Sequence, residues 1–506
     1  MPNITIIGAG LAGSLLAIYL AKRGMKVDVF EVRGDMRLEE TAAGRSINLA
    51  LSDRGIAALR EVGMDEYMLA EAVPMYGRMI HSVSSETKLL PYSGRKGEHI
   101  NSISRAGLNI ALINEAEKHD GVTFHFNERC LDFDCRTGEV MFASGRTVTG
   151  DTLIATDGAG SAVRHAMLND SVERFDFSQM WLEHGYKELH IPSQNHLRER
   201  LDGTTPFLIE KNALHIWPRH KFMMIALPNF DGSFTCTLFL SHQSEPGALA
   251  TGFISGNKGA KIQPPAHAEG SDLDRNATVK ERASSADTEG TIPTGRVSAY
   301  EPAFDRLTDE DSLLEFFETN FPDAVPLMPT LTADFFSNPT GNLGTVKCWP
   351  WNVGGRALLL GDSAHAMVPF YGQGMNCAFE DVRVLDRLIE KHGTDWETVY
   401  KEYSQFRKVN TDAIADMAEE NFYEMRDAVA DPVFVRKREL ETKLEQAFLD
   451  YFSKYSMVTF REDLPYSVAK ERGNAQDKLL MEICAGVESV SEINLGEVME
   501  HVRRID

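Results

Sequence analysis

The chain has 506 residues, a formal net charge of −23, 43% hydrophobic residues and 25% charged residues. This length predicts two or three domains around a large core, and the composition is typical of a water-soluble globular protein. The strong negative charge argues against nucleic acid or an anionic membrane as a partner. Because no apolar run reaches the roughly 18 residues that a membrane-spanning helix needs, we expect no such helix. The six cysteines form no Cys-x-x-Cys pair, which indicates reduced thiols in a cytoplasmic protein and no metal site.

Residues 1–31 show the pattern of a dinucleotide-binding unit: a β-branched strand, a glycine-rich turn, an apolar helix and a second strand that ends in an acid. Gly8 permits the tight turn, and Gly10 lets the backbone approach a pyrophosphate. Gly13 lets the helix pack closely on the strand, and the helix N-terminus offers free N–H groups to the phosphates. Glu31 is placed to accept hydrogen bonds from a ribose.

Two later segments follow the same logic, in which a buried strand runs into a turn rich in glycine. Residues 151–158 form a strand followed by Asp157 and Gly158, and residues 356–362 form a strand followed by Gly361 and Asp362. Because the carboxyl ends of parallel strands lie at one edge of a sheet, these turns are expected close to the first glycine loop.

Two strands over 78–83 and 88–92 are joined by a short polar turn and predict a β-hairpin. The hairpin brings Arg78 and Tyr92 to its open end. Whether these two side chains share a face depends on the register, which the sequence leaves open. Ser52 is predicted to cap a helix that runs to residue 63.

The predicted fold class is mixed α/β: a Rossmann-like domain, an antiparallel-sheet domain and a C-terminal helical region. The antiparallel sheet is predicted from β-rich segments between 181 and 240, and the helical region from long helices after residue 377. The segment 245–298 is polar and poor in large apolar residues, so we expect a disordered insertion. The predicted domains are 1–75, 95–175 and 300–395 for the Rossmann-like domain, 76–94 and 176–244 for the sheet, and 396–506 for the helices that close the pocket.

The three glycine-containing loops, in this order and with these wide gaps, resemble the signature of the class A flavin monooxygenases. Further segments are similar to the branch of that family that hydroxylates kynurenine. The similarity extends over nearly the whole chain except the insertion, and the segments that carry it most clearly are 44–51, 76–79, 212–218, 367–376 and 455–460.

The resemblance implies non-covalent FAD as the cofactor. It also implies NADPH, with NADH as the alternative, as the reductant and O2 as the oxidant. The first loop would hold the pyrophosphate, Asp157 and Gly158 would lie near the path of the nicotinamide, and Asp362 would meet the ribityl chain. The cofactor-binding residues implied in this way are Gly8, Gly10, Leu11, Ala12, Gly13, Glu31, Arg45, Leu51, Arg105, Asp157, Gly158, Asp362, Pro369, Gly372, Gly374, Met375 and Asn376.

The implied reaction is hydroxylation of L-kynurenine to 3-hydroxykynurenine through a flavin C4a-hydroperoxide. The substrate's amino-acid end would be held by Arg78, Tyr92, Asn421 and Tyr455, and Phe370 and Gln373 would line the ring end beside the flavin. Arginine suits bidentate carboxylate binding, which agrees with that role. Asn421 lies on the apolar face of a predicted helix, where a buried amide needs partners, so a purely structural Asn is an open alternative.

Other readings compete with this one. The chain could be a class A hydroxylase of another aromatic acid, a flavin reductase of similar fold, or a non-catalytic FAD-binding protein. His365 has no visible carboxylate partner in the sequence, which favours a structural role. Related eukaryotic enzymes carry a C-terminal membrane anchor, whereas residues 497–506 here are charged. We therefore expect a soluble, cytoplasmic monomer or homodimer.

Overall fold

A computed structural model describes residues 2–38, 48–170, 174–196, 205–244, 301–427 and 431–505. Two features predicted from the sequence lie outside the described residues. These are the insertion at 245–298 and the cofactor contact at Arg45.

The described chain forms two large sheets, two small sheets and a set of helices. The strands are β1 (Asn3–Ile7), β2 (Lys26–Phe30), β3 (Asn48–Leu51), β4 (Val73–Met75), β5 (Gly77–His81), β6 (Thr87–Pro91), β7 (Ile100–Ser104), β8 (Val122–His125), β9 (Cys130–Phe133), β10 (Glu139–Phe142), β11 (Thr147–Thr149), β12 (Thr152–Ala155), β13 (Asp176–Ile191), β14 (Ala213–Arg219), β15 (Phe222–Pro228), β16 (Phe234–Ser241), β17 (Gly341–Trp349), β18 (Asn352–Val353) and β19 (Ala357–Leu359). The α-helices are α1 (Leu11–Lys22), α2 (Asp53–Glu61), α3 (Asp65–Ala70), α4 (Arg105–Ala116), α5 (Ala162–Asn169), α6 (Glu310–Asn320), α7 (Leu331–Ser337), α8 (Asp362–His365), α9 (Gly374–His392), α10 (Trp396–Asp427), α11 (Pro432–Ala447), α12 (Lys454–Phe460), α13 (Tyr466–Ala485) and α14 (Leu495–Ile505).

The first large sheet has six strands in the order β18-β19-β12-β1-β2-β8. All its pairs are parallel except β18 with β19. Strand β1 lies between β2 and β12, and its residues Ile4 to Ile7 are all buried, Thr5 included, which agrees with its β-branched sequence. Helix α1 contacts both α4 and α9 beside this sheet, whose strands belong to the largest apolar core. The predicted Rossmann-like domain is therefore confirmed.

The second large sheet has seven strands in the order β17-β13-β16-β15-β14-β5-β6. It is antiparallel except at one pair, because β5 lies parallel to β14, with Leu214 opposite Arg78. The prediction of an antiparallel sheet is thus right for every other pair and wrong at this one. The local pattern of each strand carries no information about such a pairing, which joins segments more than 130 residues apart.

The second sheet also takes part of the chain that the sequence analysis gives to the first domain. Strand β17 pairs with β13, and α6 and α7 cover the face of this sheet through a separate apolar core. The predicted boundary at residues 300–395 therefore differs from the structure over 301–349. Long-range pairing decides this assignment, and a periodicity that reports only local structure does not contain it.

The register of the β5–β6 hairpin answers the question that the sequence leaves open. Arg78 lies opposite Leu90, and the N–H of Tyr92 donates to the carbonyl of Tyr76 at 3.0 Å. Arg78 and Tyr76 are two residues apart and share a face, so Tyr92 shares that face as well. The Arg78 guanidinium lies 5.9 Å from the centroid of the Tyr92 ring.

Ser52 occupies the N-cap position of α2, as predicted, but it does not cap the helix with its side chain. Its hydroxyl has no hydrogen-bond partner among the described residues. Its backbone N–H instead donates to Oδ1 of Asn376 at 2.9 Å. The expected local cap is replaced by a long-range bond to α9.

The C-terminal region is helical, as predicted, and packs on both sheets. Helix α10 has 32 residues and contacts α9 and α13, whereas α11, α13 and α14 enclose a small apolar core of their own. Within the described ranges, every helix is too short or too polar to cross a membrane.

A chain of buried hydrogen bonds lies on the face of the second sheet that α6 covers. The ring of His81 bonds to Asp323 at 2.6 Å and to His215 at 2.8 Å, and the other nitrogen of His215 lies 2.7 Å from the carbonyl of Glu210. A carbonyl only accepts, so this His215 nitrogen carries the proton and its partner nitrogen accepts from His81. Burial lowers the pKa of His215 to about 4, so His215 is neutral near pH 7.

This arrangement predicts a loss of stability in mild acid. The unfolded chain protonates His215 near pH 6.5 and the folded chain only near pH 4, so the unfolded state gains protons first as the pH falls. The contribution of His215 to the free energy of unfolding is therefore complete above pH 6.5, and it declines by on the order of 3 kcal/mol as the pH falls towards 4. In urea unfolding of FAD-loaded protein, His215→Gln should lose less stability between pH 7 and pH 5 than the parent. The same substitution at the exposed His501 is the control, and equal losses in parent and His215→Gln would refute the assignment.

Candidate active site

The first glycine loop has one crowded side and one open side. Gly8 has φ +102°, and a Cβ there would lie 2.5 Å from the carbonyl oxygen of Thr156. A Cβ on Gly13 would lie 2.0 Å from the carbonyl oxygen of Gly8. A Cβ on Gly10 would meet no described atom within 4 Å. Packing thus requires glycine at positions 8 and 13. Gly10 instead leaves open space in front of α1, and no described side chain caps the N-terminus of that helix.

Glu31 stabilises this loop through a buried hydrogen bond to its backbone. Its carboxylate accepts from the N–H of Ala9 at 2.8 Å and from the backbone and side chain of Arg33 at 3.0 and 2.7 Å. Burial raises the pKa of Glu31, but the hydrogen bonds from Arg33 and Ala9 outweigh burial and hold the pKa below its ordinary value. Glu31 is therefore ionised, at the position from which the predicted ribose contact would be made.

The second loop contacts the other two. Oδ2 of Asp157 accepts from the N–H of Ala162 at 2.8 Å and so caps α5, while Oδ1 is buried without a hydrogen-bond partner of ordinary geometry among the described residues. Nη1 of Arg164 on α5 donates to the carbonyl of Ser363 in the third loop at 2.7 Å. A Cβ on Gly158 would meet no described atom within 4 Å. The predicted meeting of the loops at the sheet edge is therefore observed.

The third loop ends in a glycine turn that Asn376 fixes. Its Nδ2 donates to the carbonyls of Ala50 at 2.8 Å and Gly372 at 2.9 Å, and its Oδ1 accepts from Ser52. Gly372 has φ +67°, a conformation that favours glycine. Asp362 is exposed at the start of α8. Three loops with exposed backbone, a buried carboxylate and an uncapped helix N-terminus fit FAD.

The remaining cofactor residues suggested by the sequence have different surroundings. Leu51 is fully buried. Arg105 is exposed at the first position of α4 and Pro369 is exposed in the third loop. The residues that are half-buried around the glycine turns are Leu11, Ala12, Gly374 and Met375.

A narrow cavity of about 20 Å³ lies between the hairpin and α10, and Arg78, Asn421 and Tyr455 line it. The Arg78 guanidinium lies 5.1 Å from the Tyr455 ring centroid, and the rings of Tyr455 and Tyr92 stack at 5.1 Å. Neither Nε of Arg78 nor the Tyr92 hydroxyl has a hydrogen-bond partner of ordinary geometry among the described residues. A buried guanidinium nitrogen and a buried hydroxyl without hydrogen-bond partners of ordinary geometry indicate a site for a polar ligand.

The ring end predicted from the sequence adjoins this cavity. The Phe370 ring packs on Phe239 at 4.9 Å and on Phe422 at 4.5 Å. Gln373 is buried, and its Oε1 accepts from the hydroxyl of Tyr466 at 3.1 Å. Nδ2 of Asn421 donates to the carbonyl of Phe370 at 2.6 Å. Asn421 therefore has the structural partner that the alternative interpretation requires, and it also lines the cavity.

The sequence analysis missed three acids and three bases of this cavity, which are Glu420, Glu424, Glu441, Lys437, Arg438 and Lys454. An oxygen of Glu424 lies 4.0 Å from Nη1 of Arg78. Met417, Glu420, Asn421 and Glu424 follow helical spacing. The pattern that singles out Asn421 could therefore have identified Glu424 as well.

Comparison with known proteins decides the family. The chain matches the family described as FAD binding domain over residues 2–189 and 329–418. The kynurenine 3-monooxygenase of Myxococcus xanthus is 41% identical over 507 residues, covering 99% of this chain and 95% of that protein. That of Dictyostelium discoideum is 40% identical and covers 96% and 93%. The chain belongs to the kynurenine 3-monooxygenase family.

Solved structures agree on the fold. A tetrameric form of 2-methyl-3-hydroxypyridine-5-carboxylic acid oxygenase has a TM-score of 0.59 at 18% identity, covering 88% of this chain and 97% of that chain. Klebsiella pneumoniae HpxO complexed with FAD and uric acid has a TM-score of 0.60 at 18% identity, covering 93% and 97%. Membership of the kynurenine 3-monooxygenase family confirms the resemblance, the FAD-binding domain and the assignment as a flavoprotein monooxygenase.

One expectation about a titratable residue near the flavin loops is wrong. His365 has a carboxylate partner, because its Nε2 lies 2.6 Å from Oδ2 of Asp381, 16 residues away. Cys377 completes a buried group that could ligate a metal. Nε of Arg407, however, donates to Asp381 at 2.6 Å, so a guanidinium already supplies the positive charge there.

The open side of the first loop generates a test of cofactor binding. Gly10 has φ −71° and free space around its Cα, so Gly10→Val should fold normally. The new side chain would occupy the space in front of α1, so we expect FAD affinity to fall at least about tenfold, equivalent to about 1.4 kcal/mol. FAD content after gel filtration and circular dichroism would measure both effects.

Gly486→Val at the end of α13 is the matched control, since it lies outside the loops and should keep its FAD. Full FAD occupancy in folded Gly10→Val would contradict the phosphate-loop assignment.

Proposed function

We propose that this protein is an FAD-dependent monooxygenase that hydroxylates L-kynurenine to 3-hydroxykynurenine with NADPH, or alternatively NADH, and O2. The observation that carries the proposal is the Arg78 guanidinium, which lies beside the Tyr455 ring in a cavity lined mainly by charged side chains, close to the loop of Phe370 and Gln373. The relatives named kynurenine 3-monooxygenase support this substrate.

Arg78 binds the α-carboxylate of the substrate in this proposal. A carboxylate that enters a cavity shielded from water needs a charged partner, and the guanidinium offers a fork of donors. The Tyr92 hydroxyl, which is buried without a partner of ordinary geometry among the described residues, provides a further donor. Tyr455 stacks on Tyr92 and holds its ring in place.

Glu424 binds the α-ammonium group. It lies 4.0 Å from Arg78, so the two side chains present opposite charges at a spacing that matches the head of a zwitterionic amino acid. Asn421 acts on the shape of the site rather than on a charge of the substrate. Its amide holds the backbone of Phe370 and so connects the amino-acid end of the site to the ring end.

Phe370 and Gln373 position the aromatic ring next to the flavin. When bound, FAD supplies the oxygen-transfer chemistry with electrons from the nicotinamide nucleotide. The protein orients the ring and excludes water, and the packing of Phe370 on Phe239 and Phe422 serves this purpose. We assign the cofactor contacts to the three glycine-containing loops, with Glu31 at the ribose and Asp362 at the ribityl chain.

A cytoplasmic location is part of the proposal. All six cysteines are free in the described structure, and five of them are buried. Buried free thiols are typical of a reducing compartment.

Substitution of Arg78 tests the substrate and the residue together. A charge-assisted hydrogen bond contributes about 1.5–3 kcal/mol, so Arg78→Ala should raise KM for L-kynurenine about 10- to 150-fold. Arg78→Lys should recover part of the loss, because lysine keeps the charge without the fork. FAD content should not change. An analogue without the α-carboxylate is the control, and equal penalties for both compounds would overturn the placement of the substrate.

The bond between Tyr466 and Gln373 tests the contribution of the C-terminal helices. Tyr466→Phe removes the donor to Gln373 and leaves that amide free to turn. Since a neutral hydrogen bond is worth about 0.5–1.5 kcal/mol, we expect the fraction of NADPH oxidised without hydroxylation to rise about two- to tenfold. Product per NADPH measures this fraction. The exposed Tyr67→Phe is the control, and unchanged coupling in Tyr466→Phe would remove Gln373 from the ring end.

A further inference from the structure

A second and larger cavity, of about 400 Å³, opens between α10 and the strands β13 and β17. Its size falls within the range of roughly 300–1,000 Å³ that is common for small-molecule sites. It is separate from the cavity that contains Arg78, and the proposed reaction assigns no role to it.

One wall of this cavity is a stripe of four side chains on α10. Glu419, Phe422, Tyr423 and Arg426 follow the spacing i, i+3, i+4 and i+7, which places them on one face of the helix. The Arg426 guanidinium lies 5.5 Å from the ring centroid of Phe422 and 5.2 Å from that of Tyr423. The stripe therefore has an acid at one end, a base at the other and two aromatic rings between them, over about 10 Å of helix.

The opposite wall presents an aromatic side chain to solvent. Trp181 is 58% exposed, and Met180 beside it is exposed as well. The other four tryptophans of the chain, all of them described, are buried or half-buried. Large apolar side chains that remain in water around a cavity are typical of a ligand-binding surface. Glu183 adds a second carboxylate to this wall.

One aromatic residue is common to this cavity and to the packing around the ring end of the proposed active site. Phe422 lines the cavity, and its ring also packs on Phe370 with a centroid distance of 4.5 Å. His184 contacts the edge of the same ring at 5.0 Å. Phe422 is therefore the residue at which the cavity and the ring end of the active site meet.

We propose that this cavity is a transit subsite, in which an aromatic α-amino acid binds before it passes Phe422 into the active site. The proposal rests on the proposed function for the identity of that amino acid. The ligand's carboxylate pairs with Arg426, its ring packs between Trp181 and Tyr423, and its ring amino group donates to Glu419.

The charges of the cavity distinguish this ligand from the reductant. A nicotinamide dinucleotide carries at least two phosphate charges, which proteins bind with several cations or a helix N-terminus. The cavity offers one arginine against two glutamates, Glu419 and Glu183. This balance repels a dinucleotide and suits a small zwitterion with an aromatic ring.

Fluorescence of Trp181 tests binding without turnover. The probe is 4-amino-L-phenylalanine, which has the ring amine and does not absorb where tryptophan emits. In FAD-loaded Arg78→Ala enzyme, the probe should protect Trp181 from acrylamide quenching in a saturable way, and Trp181→Phe should abolish the protected fraction. Absence of protection would overturn the proposal, and so would protection by NADP⁺ instead of the amino acid.

Stopped-flow kinetics test the route. A residue that acts only in transit changes the association and dissociation rate constants by the same factor and leaves Kd unchanged. We expect Arg426→Gln and Glu419→Gln to lower both rate constants for L-kynurenine about three- to tenfold, followed by the flavin absorbance. Arg78→Ala should raise Kd instead. The controls are the exposed residues Arg136→Gln and Glu482→Gln.

Unchanged rate constants in the two α10 variants would overturn the transit role. A wild-type enzyme whose flavin spectrum does not respond to L-kynurenine would instead contradict the proposed function. The Trp181 experiment remains decisive for the cavity in that case, because it uses neither the flavin signal nor turnover.

Discussion

A buried network of charges holds the flavin loops and the C-terminal helices in one arrangement. Arg407 bonds to Asp381 at 2.6 Å and to Glu380 at 2.5 Å, and Arg54 bonds to the other oxygen of Glu380 at 2.6 Å. Burial raises the pKa of Asp381, but His365 and Arg407 outweigh burial and the pKa lies below its ordinary value. Removal of one member of such a buried set costs about 3–5 kcal/mol, because it strands a charge away from water. The network therefore fixes which loop meets which helix.

Both ends of this network reach functional parts of the molecule. Asp381 accepts from the N–H of Gly361 in the third loop at 3.2 Å, and Arg54 donates to the carbonyl of Val458 in α12 at 2.9 Å. Helix α12 carries Tyr455, which stacks beside Arg78. The position of the substrate residues is thereby coupled to the position of the cofactor loops, although the two groups are distant in sequence. The two faces of β5 have different roles, because side chains alternate along a strand. Arg78 on one face lines the substrate cavity, and His81 on the other face belongs to the buried hydrogen-bond chain that supports the fold.

Much of the candidate site could be predicted, but for different physical reasons at different residues. The glycine loops could be predicted because the conformation of each depends only on residues within a few positions. Their suitability for binding phosphate therefore follows from a short sequence motif. The shared face of Arg78 and Tyr92 needed the hairpin register, which side-chain alternation does not determine. The pairing of His365 with Asp381 needed the packing of α8 against α9. Helical spacing could have placed Glu424 on the same face of its helix as Asn421. The role of Glu424, however, follows only from its distance to Arg78.

The sequence by itself determined the dinucleotide-binding unit, the order of the three loops, the helical C-terminal region and the family resemblance. Each of these rests on short-range constraints: a turn that only glycine adopts, a period of apolar residues, or a motif of fixed spacing. The tertiary structure alone decided the parallel pairing of β5 with β14, the place of β17 in the second sheet and the cavity behind Phe422. These depend on contacts between segments tens to hundreds of residues apart, and the free energy of such contacts belongs to the packed chain rather than to any one segment of it.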